Sequence, residues 1–295
     1  MADLRANYRL GLALVTAAAV AWSTSGLFTR MLTTDTPTIL FWRGLFGAVG
    51  LLLAIIIIPG AGGIKSFRRL GLAGLAYAAI TALSMLLFIG ALMHTTVAHV
   101  AIMTAVVPFI SAYLAWLVLR EVPNRTAIAA SLLALLGVGV MVGLSAEGTG
   151  FGDMLAFLMA ATMAGMILIS RKFGNIPALP ATCVASILSA VATLHYSSLS
   201  LPTNELGTLA IFGLVNQVLG FGLFALGTRY LPPLETALIT ALDAPLAPFW
   251  VWLLLAETPK TATLLGGALV LIAVLGNICL QNWQALQVDS PPSRG

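Results

Sequence analysis

The sequence predicts an all-α membrane protein with ten transmembrane helices. Apolar residues make up 60% of the chain and charged residues 8%, whereas soluble domains contain roughly 25% charged residues. Ten apolar runs of about 20 residues each, the length that crosses a bilayer, follow one another along the chain. Short stretches rich in proline, glycine or asparagine separate these runs. None of the connecting stretches is long enough to hold a soluble domain.

The first apolar run resembles a signal peptide at its start, because Arg5 and Arg9 precede Leu10–Ala18. The run continues through Trp22–Met31, so we expect a first membrane helix instead. The predicted spans are residues 10–31, 37–58, 70–94, 97–119, 126–144, 151–170, 179–199, 207–229, 234–255 and 261–281. They form one five-helix repeat over residues 1–146 and a second over 147–284, followed by a polar, disordered tail over 285–295.

The distribution of basic residues predicts that both chain ends are cytoplasmic. With that orientation the cytoplasmic side holds eleven basic residues: Arg5, Arg9, Lys65, Arg68, Arg69, Arg120, Arg125, Arg171, Lys172, Arg229 and Arg294. The other side holds only Arg30, Arg43 and Lys260. Such an excess of Lys and Arg marks the cytoplasmic loops of membrane proteins.

Two pairs of matching segments indicate that the chain repeats internally. Glu121-Val122-Pro123 and Glu257-Thr258-Pro259 are 136 residues apart, and Trp22–Arg30 aligns with Met163–Arg171 at an offset of 141. With five spans in each half, the second half enters the membrane from the opposite side. Inverted repeats of this kind place the substrate site of a transporter near the midplane, between the repeats.

The fourth and ninth spans carry prolines in their middle, which predicts interrupted helices. Pro108 lies in the fourth span, and Pro245 and Pro248 lie in the ninth, just after Asp243. A membrane acid costs several kcal/mol in hydrocarbon, about 2.5–3.5 by the lower estimates, and therefore faces protein or a wet cavity. Asp243 has two interpretations. It either pairs with a cationic group of the substrate or carries a proton, or it caps the backbone broken by the prolines. Its aligned neighbour in the first half is Val107, which favours the functional interpretation.

Further polar and adaptable side chains are candidates for the wall of a central cavity. Each has a structural alternative: hydrogen bonding between helices for the polar residues and ordinary packing for the apolar ones. His99 is a candidate for proton transfer or a neutral hydrogen-bonding group. Asn216 and Gln217 are adjacent and cannot share one helix face, so at least one is expected to serve packing. The predicted substrate-binding residues, besides Asp243, are Trp22, Ser25, Tyr77, Thr81, Ser84, His99, Met103, Met163, Asn216 and Gln217.

Three other features carry structural expectations. Arg43 is expected to extend to the outer surface, with carboxylate binding at the outer mouth as the alternative. Gly139 and Gly143 form a small-xxx-small motif that predicts close packing of the fifth span. Cys183 and Cys279 lie in apolar runs without metal-ligand spacing and are expected to be buried thiols.

These motifs, taken in order, resemble the drug/metabolite transporter superfamily of the EamA type. The resemblance covers nearly the whole chain and rests on the ten spans, the two Glu-x-Pro turns, the Trp22-Ser23 pair and the G-V-x-x-M-x-G segment Gly137–Gly143. Within the superfamily the chain looks most like the YddG-type bacterial exporters of aromatic amino acids. The resemblance implies a multi-pass protein of the bacterial inner membrane that exports small metabolites without ATP.

The expected function is export of small amphipathic metabolites, with aromatic or bulky amino acids first, by alternating access. The alternatives are export or exchange of other metabolites or drug cations, and a channel or scaffold that is not a carrier. No P-loop, H-E-x-x-H or nucleophile-elbow motif is present, so we expect no catalytic residue, metal or cofactor. The expected partners are a small substrate and the lipid bilayer, not nucleic acid, with the chain a monomer or weak homodimer.

Overall fold

The computed structural model describes residues 2–58, 63–95, 97–142, 150–256, 258 and 260–287. Over these ranges the chain is helical and contains no β-strand, which confirms the predicted all-α class. The helices are α1 Ala2–Ser23, α2 Ser25–Met31, α3 Thr36–Ile57, α4 Gly71–His94, α5 Val97–Ala105, α6 Val107–Leu119, α7 Arg125–Val142, α8 Gly150–Lys172, α9 Ala178–Thr193, α10 Thr203–Gly213, α11 Leu223–Gly227, α12 Pro233–Thr240, α13 Asp243–Leu255 and α14 Thr261–Gln287.

Ten segments within the described residues are long and apolar enough to cross a membrane, as predicted. We number them spans 1 to 10: α1–α2, α3, α4, α5–α6, α7, α8, α9, α10–α11, α12–α13 and α14. Because the number of crossings is even, the start of span 1 and the end of span 10 lie on one face, which we call the terminal face. The last helix continues to Gln287, past the predicted start of the tail at 285, and residues 288–295 lie outside the described residues.

Spans 4 and 9 are interrupted at matching positions. The helix of span 4 breaks at Val106, and that of span 9 breaks at Ala241 and Leu242. Leu242 lies 136 residues after Val106, the same offset that relates the two Glu-x-Pro turns. Pro108 and Pro245 fall in the first turn after each break, where a missing backbone donor costs least.

Pro248 does not interrupt its helix. Helix α13 runs through it from Asp243 to Leu255, so the expectation of a break at this proline is wrong. A proline within a helix removes one hydrogen bond and is tolerated in membrane spans where neighbouring groups satisfy the freed carbonyl.

Spans 1 and 8 depart from regular helix without any proline. Span 1 breaks at Thr24, where the Ser23 and Thr24 hydroxyls donate to the carbonyl oxygens of Val20 and Ala21, each at 2.6 Å. Hydroxyls that bond the preceding turn compete with the backbone ladder and bend helices. Span 8 contains a π-helical segment, Leu214–Gly222. Wide turns of this kind occur frequently at functional sites.

The two halves of span 9 have opposite environments. Every residue of α12 is buried, whereas no residue of α13 is. Helix α12 packs against α6, the half of span 4 on the same side of the membrane, whereas any contact between α5 and α13 is slight over the described residues. Spans 4 and 9 therefore meet near the terminal face and diverge toward the opposite face.

A pair of glycines brings spans 5 and 10 into backbone contact. A Cβ atom added to Gly137 would lie 2.7 Å from the carbonyl oxygen of Gly266, and one added to Gly266 would meet the carbonyl oxygen of Gly137. Gly139 has open space around it, so its predicted packing role is wrong and belongs to Gly137. Gly143, and Glu257 and Pro259 of the second Glu-x-Pro turn, lie outside the described residues.

Candidate functional site

Spans 1, 8 and 9 meet around the break in span 1. The side-chain amide of Asn216, in the π-helical segment, donates to the hydroxyl of Ser25 at 2.7 Å. The indole N–H of Trp250, in α13, donates to the hydroxyl of Ser23 at 2.8 Å. The two serines flank Thr24, so each side of the break is held by a hydrogen bond from the second repeat.

An aromatic cluster surrounds Trp22, which lies two residues before the break at Thr24. Its indole lies 4.9 Å, between ring centroids, from both Phe221 and Phe224 of span 8. The indole fits there because residue 220 is glycine: a Cβ atom at Gly220 would lie 2.5 Å from it. Trp22 packs against the main core and remains partly exposed.

The adjacent amides of span 8 point to different neighbours. Asn216 faces Ser25 of span 1, whereas Gln217 packs against Gly47 of span 2, where a Cβ atom would collide with its side chain. Gln217 is fully buried. This division follows from helical geometry, because successive residues cannot face the same side. Asn216 is therefore the amide that borders the Trp22 region.

Asp243 is the first residue of α13, immediately after the break in span 9. It remains partly exposed, as do the next five residues, Ala244 through Pro248. Ala244 and Leu246 pack against the main core, but this part of the helix is covered less completely than α12. Helix α13 contacts α1, α2 and α14, which places Asp243 on the same side of the bundle as the Trp22 and Ser25 cluster.

Several other predicted residues lie away from this cluster. Tyr77 is buried at the terminal-face end of span 3, beside a small cavity shared with Ser170 and Arg229. Thr81 is fully buried, and its hydroxyl donates to the carbonyl oxygen of Tyr77 at 2.7 Å. Ser84 is also buried. The face of span 3 therefore packs against protein in this state.

The predicted methionines are divided between two packed regions. Met163 is partly buried against the main core, whereas Met103 packs on a separate cluster formed by residues of spans 3, 4 and 6. Neither is among the residues that contact Trp22 in the aromatic cluster described above.

A hydrogen-bonded His–Asp pair joins the two repeats at the opposite face, and only one of its members was predicted. Nδ1 of His99, in α5, lies 3.0 Å from Oδ1 of Asp153 in α8, and Thr95 donates to the same oxygen at 2.7 Å. Both members of the pair are partly exposed. One feature of the sequence could have identified Asp153 as a candidate: it is an acidic residue in the first turn of span 6.

Two expectations about single residues are wrong. Arg43 does not extend to the surface: it is 7% exposed, and its guanidinium lies 5.4 Å from the centre of the Phe212 ring. A cation over an aromatic face is stabilised inside protein. Cys183 is buried as expected, but Cys279 is exposed. No group of three or more potential metal ligands occurs within the described residues.

Hydrogen bonds and an ion pair join the repeats at the terminal face. Tyr8 of span 1 donates its phenolic proton to Oε2 of Glu235 in α12 at 2.9 Å. Nε of Arg171, at the end of span 6, lies 3.4 Å from Oε1 of Glu121, at the end of span 4. Nη1 of Arg171 also donates to the carbonyl oxygen of Arg229 at 3.0 Å. The Tyr8–Glu235 and Arg171–Glu121 contacts connect the two repeats at the terminal face.

Replacing Ser25 with alanine is expected to weaken the junction of spans 1 and 8. It leaves the side-chain amide of Asn216, which is 2% exposed, without its acceptor. The expected cost is about 1–3 kcal/mol, or about 2–12 °C in the unfolding midpoint. Thermal unfolding of the purified protein measures this. Ser25→Thr keeps the hydroxyl and should restore most of the loss, and the exposed Thr208→Ala serves as control. Equal midpoints for Ser25→Ala and Thr208→Ala would contradict the importance of this bond.

Comparison with known proteins agrees with this architecture. A crystal structure of another protein superposes on this one with a TM-score of 0.79 at 17% sequence identity. The superposition covers 94% of this chain and 99% of the other. At that identity the likeness shows the fold alone. No curated protein matches the sequence significantly. The model of the EamA-like transporter family, whose members carry small molecules across membranes, matches residues 9–143 and 150–279. Since these two segments make up most of the 295 residues, the chain belongs to the EamA-like transporter family.

Proposed function

We propose that this protein exports small amphipathic metabolites, aromatic or bulky amino acids first, by alternating access through a central cavity. The observation that carries the proposal is the contrast within span 9. Its α12 half is completely buried against α6, whereas its α13 half has no buried residue. A bundle closed at one face and open at the other is one of the two states that alternating access requires.

The residues around the break in span 1 support a ligand with an aromatic part and charged ends. Trp22, Phe221 and Phe224 offer stacking surface to an apolar side chain. Asp243 carries the charge that would pair with an ammonium group, and Ser25 and Asn216 lie where polar ends can be hydrogen-bonded. Few other charges lie within the spans, so recognition would depend mainly on shape and apolar contact.

The proposed location is the bacterial inner membrane, with the terminal face in the cytoplasm. The excess of basic residues on that side supports this orientation. In this proposal the less buried α13 half of span 9 faces outward, on the side where substrate is released. A monomer contains both repeats and therefore a complete pathway, and a weak homodimer is compatible with it.

The competing functions make different predictions for flux. Export or exchange of other metabolites or drug cations would keep the mechanism and change the substrate. A polyamine is disfavoured because its site would need several acids, and the predicted substrate-binding residues include only one, Asp243. A channel or scaffold would not alternate. Saturable uptake into proteoliposomes, accelerated by unlabelled substrate on the opposite side, would support a carrier, whereas rapid non-saturable leak would exclude one.

Replacing Asp243 with asparagine is expected to reduce transport of aromatic amino acids by tenfold or more, about the effect of losing one hydrogen bond to a charged group. The substitution preserves shape and removes the charge that meets the ammonium group. Counterflow in proteoliposomes, measured with a panel of amino acids and organic cations at several pH values, tests this.

The matched control is Asp35→Asn. Asp35 caps the N-terminus of α3 outside the spans, where it accepts from the backbone N–H of Thr38, and asparagine caps equally well. Transport should be unchanged in this control. If Asp243→Asn transports every substrate like the parent at every pH, Asp243 neither binds the substrate nor transfers a proton.

A further inference from the structure

A buried arginine in span 2 has no acidic partner within the part of the chain that the structure describes. Arg43 follows Thr36, the first residue of α3, by seven residues and therefore lies about 10 Å along the span. The residue is buried. No carboxylate of the described residues lies within ion-pair distance of its guanidinium. Its Nε atom is buried and makes no hydrogen bond to them.

The aromatic ring beside Arg43 stabilises this charge only in part. The guanidinium lies 5.4 Å from the centre of the Phe212 ring, and the attraction acts through the face of that ring. A guanidinium carries five N–H donors, and a phenyl ring offers them no oxygen or nitrogen acceptor. A charged side chain within a membrane span is costly, and it commonly pairs with another group or marks the path of a ligand. We therefore expect a ligand to supply the acceptor.

A second buried polar group lies on the same contact between spans 2 and 8. Neither Nε2 nor Oε1 of Gln217 makes a hydrogen bond to the described residues, and the side chain is fully buried. The two helices touch through glycines here. A Cβ atom at Gly47 would lie 2.4 Å from that of Gln217, and one at Gly213 would lie 2.8 Å from the carbonyl oxygen of Arg43. Each polar residue is four positions from a glycine on its own span, so the two lie about one turn apart on facing helices.

Together these two groups offer the donors that a carboxylate accepts. A guanidinium presents paired N–H groups that match the two oxygens of a carboxylate, and the amide of Gln217 adds further N–H donors. The rings of Phe28 and Phe212 stack with their centroids 5.0 Å apart, and Phe212 is the ring beside the guanidinium. An anion that also carries an aromatic or apolar part therefore suits this contact.

The contact lies between the break in span 1 and the opposite face. Asn216 donates to Ser25 next to that break. Phe212 precedes Asn216 by four residues, and Phe28 follows Ser25 by three. Both rings, and the guanidinium beside them, are therefore about one turn nearer the opposite face than this hydrogen bond.

Asp243 lies at a different depth in the membrane. Trp250 follows it by seven residues in α13, two turns nearer the opposite face, and bonds Ser23 before the break in span 1. Arg43 lies beyond that break. The ammonium and carboxylate groups of an α-amino acid are attached to one carbon atom, so a single molecule cannot contact both charged side chains at once.

We propose that Arg43 and Gln217 form a binding site for the carboxylate of an aromatic or bulky ligand that moves toward the opposite face. The guanidinium binds both carboxylate oxygens, the amide donates to one of them, and the apolar part lies against Phe28 and Phe212. That the ligand is a transported substrate rests on the proposed function. Binding of a carboxylate rests only on the buried guanidinium and amide.

Thermal unfolding of the purified full-length protein with small ligands tests the site without transport. The probe is 3-phenylpropionate, which has a carboxylate and no ammonium group. Each tenfold increase in its concentration beyond the dissociation constant is expected to raise the unfolding midpoint by about 2–5 °C. The uncharged 3-phenylpropanamide, of the same shape, and the cationic 2-phenylethylamine are expected to leave the midpoint unchanged.

Two variants and a control locate the binding. Arg43→Met removes the charge and should raise the dissociation constant for 3-phenylpropionate about tenfold or more, the effect of losing a hydrogen bond to a charged group. Gln217→Met removes the amide at similar volume and should raise it about tenfold, which keeps the test decisive if Arg43→Met does not fold. Lys260→Met removes an exposed positive charge on the same face and should leave the dissociation constant unchanged.

The possible results distinguish this inference from the proposed function. Stabilisation that requires the carboxylate and is weakened in both site variants supports the site. No shift with 3-phenylpropionate, an equal shift with 3-phenylpropanamide, or unchanged affinity in the site variants overturns it even if proteoliposomes transport normally. An equal, Arg43-dependent shift with sodium chloride at the same concentration overturns the assignment to a carboxylate. Carboxylate binding without transport of any substrate keeps the site and removes the carrier function.

Discussion

Substitution of Gly266 by valine is expected to be the most damaging single change in the bundle. A Cβ atom at this position meets the carbonyl oxygen of Gly137 and lies 2.6 Å from the backbone nitrogen of Met141. Both are backbone atoms of span 5, which cannot rotate aside as a side chain can. Spans 5 and 10 would have to separate, and the closely fitted surface between the repeats would be lost.

We expect this substitution to cost about 3 kcal/mol or more, the upper range for overpacking, and to lower the unfolding midpoint by about 6–12 °C. Thermal unfolding and size-exclusion chromatography of the purified protein provide the measurement. The matched control is Gly276→Val on the same helix, where an added Cβ atom meets open space. Equal midpoints for the two variants would show that this glycine pair does not hold the repeats together.

The membrane spans and their interruptions were predictable because they depend on local chemistry. Apolar length alone defines a span. Pro108 and Pro245 cannot donate a backbone hydrogen bond, so breaks near them were expected. The break at Thr24 and the π-helical segment of span 8 contain no proline, and neither was predicted. At Thr24 the signal was the Ser23-Thr24 pair, whose hydroxyls compete for backbone carbonyls.

The rotation of each span was much less predictable. A uniformly apolar helix has no polar face to indicate which side meets protein, so Gly139 was chosen where Gly137 makes the contact. The same difficulty affected Arg43, whose buried position depends on Phe212 of span 8. In both examples the neighbouring helix determines which face of the span is buried, and the sequence of one span does not contain that information.

The pairs between repeats were missed for a related reason. His99 and Asp153 are 54 residues apart, and Tyr8 and Glu235 are 227 apart. The up-and-down order of the spans puts each pair on one face of the membrane, but not next to each other. Their contacts depend on which span ends are neighbours, a property of the three-dimensional packing of the repeats.

Replacing Tyr8 with phenylalanine is expected to shift the protein toward states with an open terminal face. The substitution removes the hydrogen bond from span 1 to the buried carboxylate of Glu235 in span 9. A hydrogen bond to a charged group contributes about 1.5–3 kcal/mol, so the ratio of open to closed states should rise about 10- to 150-fold. The apolar ring remains, and packing changes little.

Reactivity of a buried thiol measures this shift. Ala237, in α12, is 1% exposed in the closed state, so an Ala237→Cys variant lacking Cys279 reacts with a polar thiol reagent only when the face opens. Tyr8→Phe should raise its modification rate at least about tenfold. Tyr196→Phe, at a tyrosine that is 73% exposed, should leave the rate unchanged. If Tyr8→Phe leaves it unchanged as well, the Tyr8–Glu235 bond persists in both states, and separation of spans 1 and 9 is not how the terminal face opens.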